Sequence, residues 1–155
     1  MVRAVRCRRL LFYLVSRTAI ALYRTFPVFG RLQGAIAIIR HGSCFVVLQR
    51  ADGLGIAFPG GMTRRGEHPA DTARREVLEE TGLHLDELTF RFAFPDDSLY
   101  PAETHVFEAE LPAESALELR STWEGEAREV TLAELRAGIV VSHVRVLEFL
   151  DAYPL

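Results

Sequence analysis

Four glutamates and a glycine turn crowd into one short stretch of this chain, GGMTRRGEHPADTARREVLEETGL, from Gly60 to Leu83. Pro69 suits a first helical turn and Gly82 a left-handed C-cap, so the residues between them are expected to form a helix. On that helix Glu76, Glu79 and Glu80 stand at i, i+3 and i+4 and project from one surface. Like charges at this spacing repel by a few tenths of a kcal/mol, roughly, for each pair, so the cluster calls for a compensating cation. A hard divalent ion such as Mg2+ is the natural partner, because it takes oxygen ligands and keeps waters that a phosphate can replace.

The order of residue types goes further. Gly61, Glu67, Arg75, Glu76, Val77, Glu79, Glu80, Gly82 and Leu83 follow the pattern Gly, five residues, Glu, seven residues, Arg-Glu, aliphatic, any, Glu-Glu, any, Gly, aliphatic. This resembles the box of the Nudix hydrolases. Seven fixed positions at about 6–7% background usage match by accident in fewer than about one window in 10^8, which excludes chance. Phe58-Pro59-Gly60-Gly61 also resembles the family's approach to its box, and a weaker likeness runs from about Gln33 to Arg136.

The resemblance implies a metal-dependent hydrolase that cleaves the diphosphate linkage of a nucleoside diphosphate joined to another moiety. It implies Mg2+ or Mn2+ bound by Glu76, Glu79 and Glu80, with the Gly60 carbonyl as a backbone ligand and Glu67 as an outer or additional one. Arg75 would pair with Glu79 and keep it ionised. The family also draws a general base or extra ligand from an acidic loop beyond the second strand pair. Glu124 and Glu126, in the run Trp123 to Glu129, are the candidates, and Glu126 is taken with Glu79 and Arg75 as the catalytic set. Two other functions stand beside it: a binding or regulatory module without turnover, and, on the N-terminal helix alone, a membrane-surface hydrolase of a lipid-linked diphosphate. Repelling carboxylates would serve no purpose in the first.

The chemistry to be accomplished is attack of water on phosphorus, with negative charge growing on the phosphoryl oxygens and the leaving phosphate. The chain's charge pattern suits it. All 18 basic residues are arginine, and nine of them lie in the first 50 residues, where no acid occurs; the other nine share residues 51–155 with all 21 acids, a net −12. An acidic body collects metal ions, and a basic leader favours an anionic surface. Arg64 and Arg65, just before the helix, could reach phosphate. Cys7 and Cys44 provide neither a disulfide framework nor ligand spacing, so a reduced, cytoplasmic setting is expected, with Cys44 in the core. The five histidines lack zinc-type spacing and read as structural or surface groups.

The elements that must position the glutamates can be read in order. Residues 3–25 form a basic amphipathic helix, with Arg3, Arg6, Arg9, Arg17 and Arg24 opposite Leu11, Phe12, Val15, Ala19 and Leu22. Arg17 interrupts its apolar run, so it is no membrane span, and peripheral membrane contact and docking on the body both remain open. Residues 1–27 are accordingly separated from a domain at 28–155. Gln33–Ile39 and Cys44–Gln49 read as a hairpin turned at Gly42, Ile56–Phe58 as a short strand, and Pro59-Gly60-Gly61 as a turn. Leu88–Phe94 and His105–Leu111 form a second strand pair, with Phe90, Phe92 and Phe94 on one buried face. Leu111–Arg128 reads as an irregular acidic connection. Thr131–Ala137 and Val141–Tyr153 follow as helices, the first with a Thr131/Glu134 capping box. The class is α/β (α+β), with a mixed sheet between helices; the partner expected is a small nucleotide or diphosphate, with no nucleic acid polymer and an oligomeric state left open.

Overall fold

Strand β1, Leu32–His41, is buried from Gly34 to Arg40 and forms the spine of the molecule. The two-residue period of a strand sends Ile36 and Ile38 into one core and Ala35, Ala37 and Ile39 into another on the opposite face. Both faces of the sheet are therefore covered. The computed structural model describes Thr18, residues 32–96 and residues 101–153. Apart from Thr18, the helix expected at residues 3–25 lies outside the described residues.

Gly42, at φ +54°, turns β1 into β2 (Cys44–Arg50), with His41 facing Cys44. Cys44 is half-buried at this turn and not in the core. Two short strands follow, β3 (Ile56–Ala57) and β4 (Gly60–Met62), then helix α1 (Pro69–Thr81), β5 (Thr89–Asp96) and β6 (Ala102–Leu111). The chain ends in β7 (Gly125–Thr131), α2 (Leu132–Gly138), a 3-10 turn at Val141–His143 and α3 (Val144–Ala152). The strand order is β3-β2-β1-β6-β5, with β4 paired to β1 and β7 to β2. β6 runs parallel to β1 over ten residues, while the other pairs are antiparallel, so the sheet is mixed.

Helix α1 buries Ala73 and Val77 against Ala35, Ala37, Ile39 and Phe107. Leu135 of α2 and Val146 and Leu150 of α3 pack into the core on the other face, with Phe45 and Phe58. The result is an α/β/α sandwich. Val77 is fully buried and alone contributes about 2 kcal/mol, which fixes the roll of α1 and hence the direction of its glutamates. His68 caps the helix by accepting the Ala70 N–H, Pro69 occupies its first turn, and Gly82, at φ +82°, ends it.

Four features differ from the sequence reading. Gly60 and Gly61 lie in β4, paired with Ile36 and Ala35, and do not form a turn. Glycine is what permits the pairing, because a Cβ on Gly60 would overlap the Ala35 carbonyl. The connection expected to be irregular ends in the first half of β7, whose inward positions Gly125, Ala127 and Val130 include two too small to register as an apolar run. β5 runs two residues past the expected end at Phe94, through Pro95 and Asp96. A bulge between Phe90 and Phe92 shifts the register, so Phe90 packs by Phe107 and stays largely exposed, whereas Phe92 packs on Phe149 from α3. The three phenylalanines do not form one buried face.

Candidate active site

Because α1 is pinned on its apolar side, its three glutamates differ in depth. Glu80 is innermost, 7% exposed, and its Oε2 accepts the Gly60 N–H at 3.1 Å. Glu76 lies against Gly61, where a Cβ would overlap its carboxylate. Glu79 stands half-exposed at the rim. The Gly60-Gly61 strand and the last two turns of α1 thus form a single unit, in which the absent side chain of Gly61 makes room for the Glu76 carboxylate and the Gly60 N–H holds that of Glu80.

Arg75 organises this unit with all five of its N–H donors. Its Nε and one Nη2 hydrogen form a fork on Glu67 at 2.8 and 3.1 Å, and the second Nη2 hydrogen donates to the Met62 carbonyl at 3.2 Å. Nη1 donates to Glu76 at 2.6 Å and to Glu79 at 3.4 Å. The Glu79 pairing expected from sequence is present, but it is the longest of the five. Glu67 is the principal partner. Its oxygens also accept the Arg64 N–H at 2.8 Å and the Thr72 hydroxyl at 2.9 Å. Arg75 first, then Arg64 and Thr72, hold its carboxyl down to about 2. With both oxygens so engaged, Glu67 acts as the anchor of Arg75, a role the box pattern does not spell out.

Glu124 comes to the same cluster from the loop before β7, whose backbone is tied by Ala51 N–H to the Glu124 carbonyl at 2.7 Å. Burial, then the charges of Glu76 and Glu79 against the opposing charge of Arg50, pushes its carboxyl up. Glu126 is placed differently. It lies in β7 opposite Gln49, exposed, and its carboxylate makes no hydrogen bond or ion pair among the described residues. Of the two loop candidates, Glu124 is the one that the fold brings to the box.

Arg50 and Asp52 were missed in the sequence. Arg50 ends β2 and forks onto Asp52, Nε to Oδ1 at 3.0 Å and Nη2 to Oδ2; the Asp52 side chain is only 4% exposed and also accepts the Leu54 N–H. Burial acts upward on Asp52, yet Arg50 and Leu54 hold it below the ordinary carboxylate range. An i, i+2 ion pair at a strand end leaves no periodic mark. The signal available was an Arg-x-Asp at the end of an apolar strand, directly before the glycine-rich approach to the box.

Among the described residues no three His, Cys, Asp or Glu side chains converge into a ready-made cage. The donor chemistry nevertheless fits a hard cation. Burial first, opposed by the Gly60 N–H, then the charges of Glu76 and Glu124, push Glu80 up to about 8. A buried acid crowded by other acids is what a divalent ion relieves. Arg64 reaches Glu79 at 3.2 Å and both are largely exposed, so this contact is the outermost of the cluster. Arg65 is exposed in the loop.

The NUDIX domain profile matches residues 30–150. Among curated proteins no sequence matches the chain. Solved structures similar in fold include the NUDIX domain of Shewanella oneidensis NrtR complexed with ADP ribose, with 15% identity and a TM-score of 0.67 over 85% of this chain and 96% of that one. A bifunctional NMN adenylyltransferase/ADP ribose pyrophosphatase from Francisella tularensis, complexed with AMP and a Mn ion, has 19% identity and a TM-score of 0.69 over 90% of this chain and 46% of that longer one. A MutT structure, from work on Aliivibrio salmonicida and Vibrio cholerae, has 20% identity and a TM-score of 0.64 over 79% of this chain and 98% of that one.

Proposed function

The chain belongs to the Nudix hydrolase family, and from that premise we propose that it hydrolyses the diphosphate linkage of a nucleoside diphosphate joined to a second moiety, with a divalent cation held by Glu76, Glu79, Glu80 and the Gly60 carbonyl. The observation that carries this reading is the buried acidic cluster, with Glu76 and Glu80 seated on Gly60-Gly61 and Glu124 facing them. The fold relatives that bind ADP ribose or AMP support the substrate class.

A bound Mg2+ or Mn2+ supplies positive charge for the phosphoryl oxygens and lowers the pKa of water. The chain's own residues do the rest. Arg75 holds Glu76 and Glu79 in fixed rotamers, so the carboxylates pay little entropy when a cation arrives. Gly61 leaves the space that the Glu76 carboxylate occupies, and the Gly60 N–H holds Glu80 in place. Glu124, whose carboxyl is pushed up by burial and by Glu76 and Glu79, is a stronger base than an exposed glutamate and accepts a proton from the attacking water. That water forms one P–O bond as the bridging P–O bond breaks, giving two phosphate monoesters.

The test is turnover of a panel of nucleoside diphosphate sugars, dinucleoside polyphosphates, nucleoside triphosphates and isoprenoid diphosphates with Mg2+, followed by identification of both products. Release of a nucleoside monophosphate and the complementary phosphate ester is expected. An absence of turnover across the panel overturns the proposal, and preferential cleavage of the isoprenoid diphosphates would move the substrate class to lipid-linked diphosphates.

A further inference from the structure

On the side of the sheet away from α1, a row of aromatic rings runs from the outer strand onto α3. Phe94 and Phe92 of β5 lie 5.9 Å apart between centroids, Phe92 and Phe149 of α3 4.9 Å, and Phe149 and Tyr153 5.1 Å. Two clefts meet at Phe149. One, of about 390 Å³, is lined also by Phe92, Phe94 and Glu148; the other, of about 430 Å³, by Phe90, Tyr153 and Glu110. Tyr153 is 65% exposed and Phe90 53%. Contiguous aromatic surface on the outside of a domain marks a contact surface.

The chain brings a matching surface to this place. Leu32, the first residue of β1, pairs with Ala102, which pairs with Asp96 at the end of β5. Two strand spacings, about 10 Å, therefore separate the point where residues 1–31 join the sheet from the end of β5 that carries Phe94. Residues 26–31 reach about 20 Å when extended, enough to cross that gap. Residues 3–25 present Leu11, Phe12, Val15, Ala19 and Leu22 on one helical face, and Thr18 among them is helical. From Leu11 to Leu22 a helix rises about 16 Å, and the ring spacings make the row from Phe94 to Tyr153 about 16 Å long as well. The same segment holds six arginines and no acid, whereas residues 51–155 hold nine arginines and 21 acids.

We propose that residues 3–25 dock as a helix on the aromatic row between β5 and α3, with Leu22 at the Phe94 end and Leu11 and Phe12 at the Tyr153 end. The direction follows from the tether, because Leu22 is the nearest of the five apolar residues to the junction at Leu32. One contact then takes two apolar surfaces out of water. A helix lying in a bilayer interface would leave the row exposed, and a second copy seated on the row would leave the helix face exposed. The edge of β5 is also a poor template for a strand from another molecule, since the Phe90/Phe92 bulge twists it and Pro95 has no N–H to give. The arginines stay in water, where Glu110 and Glu148, both exposed, attract them at the rims of the clefts. This surface lies across the sheet from α1 and its glutamates, so the inference stands independently of the diphosphate reading.

The test uses full-length protein carrying Cys7→Ser and Cys44→Ser, oxidised at low protein concentration, with one cysteine pair added at a time. Leu22→Cys with Glu148→Cys, and Leu11→Cys with Tyr153→Cys, are expected to close a disulfide within one chain about tenfold or more faster than Arg17→Cys with Glu148→Cys. Arg17 lies on the arginine arc, and a disulfide needs Cα atoms within about 7 Å. Thermal melts establish that each variant is folded; where one is not, the other pair and a second measurement decide. In that measurement Val15→Asp, in otherwise wild-type protein, is expected to lower the melting temperature by about 3 °C or more. Wild type is expected to stay in solution with vesicles of phosphatidylcholine and phosphatidylserine at low salt. Closure of all three pairs at rates within about twofold of one another overturns the inference, as does an unchanged melting temperature in Val15→Asp. Disulfides that join two chains in place of one assign the row to a second copy, and sedimentation of wild type but not of Val15→Asp with the vesicles assigns the helix to a membrane; either result also overturns it.

Discussion

Taking the protein from about pH 7.5 to about pH 5 asks the His143 ring to accept a proton in a place that resists it. Its Nδ1 accepts the Phe58 N–H at 3.0 Å, and the ring stacks on Phe58 at 6.1 Å between centroids. Burial first, and the nearby charge of Arg50 second, pull its pKa down to about 3. The unfolded chain takes the same proton near the ordinary 6.5. Between those two values the unfolded state binds more protons than the folded one, so stability contributed by neutral His143 is whole above 6.5 and is lost as pH falls toward 3. At about pH 5 the loss amounts to about 2 kcal/mol, from about 1.5 units at 1.36 kcal/mol each. Glu80 acts in the opposite sense: pushed up to about 8 by burial, it favours folding as it gains a proton below 8. The histidine is isolated by comparing wild type with His143→Asn, whose amide oxygen can still accept the Phe58 N–H, because Glu80 is common to both. Urea unfolding at about pH 7.5, 6 and 5 should show wild type losing about 2 kcal/mol relative to the variant over this range. A stability difference that stays constant to within about 0.5 kcal/mol, or one that grows in favour of wild type as pH falls, refutes the reasoning.

Gly61→Ala places a Cβ on the Glu76 carboxylate, which is the flexible end of a side chain and can move. Urea melts should therefore change by less than about 1 kcal/mol while kcat falls by about ten- to a hundredfold, and an unchanged kcat would mean that the position of Glu76 is immaterial. Glu79→Gln and Glu80→Gln should each lower kcat by roughly two decades in a folded protein; near-normal kcat in both at saturating metal would show that they are not ligands. In metal-free buffer at neutral pH, Glu80→Gln should also raise the melting temperature, because it keeps an acceptor for the Gly60 N–H and removes a carboxyl that must take up a proton on folding, being held against burial and the charges of Glu76 and Glu124.

What could be read in the sequence was whatever had local punctuation. Pro69 and Gly82 bracket α1 and fix both of its ends, Gly42 fixes the first hairpin, and Thr131 with Glu134 starts α2. The glutamate surface follows from the 3.6 period alone. Non-local relations were out of reach. The parallel pairing of β6 with β1 joins residues some 70 positions apart, and nothing local encodes it. β7 was concealed by its small inward residues, and the Phe90/Phe92 bulge by a spacing that looks like one face. Within the site, the pattern identified which glutamates matter but not how deeply each is buried, because depth comes from the packing of Val77 and Ala73 on the sheet. For the same reason Arg75's main partner, Glu67, and the Arg50–Asp52 fork emerge only in three dimensions.

The most direct test of the acidic cluster as a cation-dependent diphosphate site is the metal titration of turnover. The protein is stripped with chelator, given the best diphosphate of the panel, and titrated with Mg2+ or Mn2+ while both phosphate-ester products are quantified. The account predicts no turnover in chelator and a saturable rise as metal is added, because the crowded carboxylates leave the phosphate charge unmet without it. Full turnover after exhaustive chelation would contradict it.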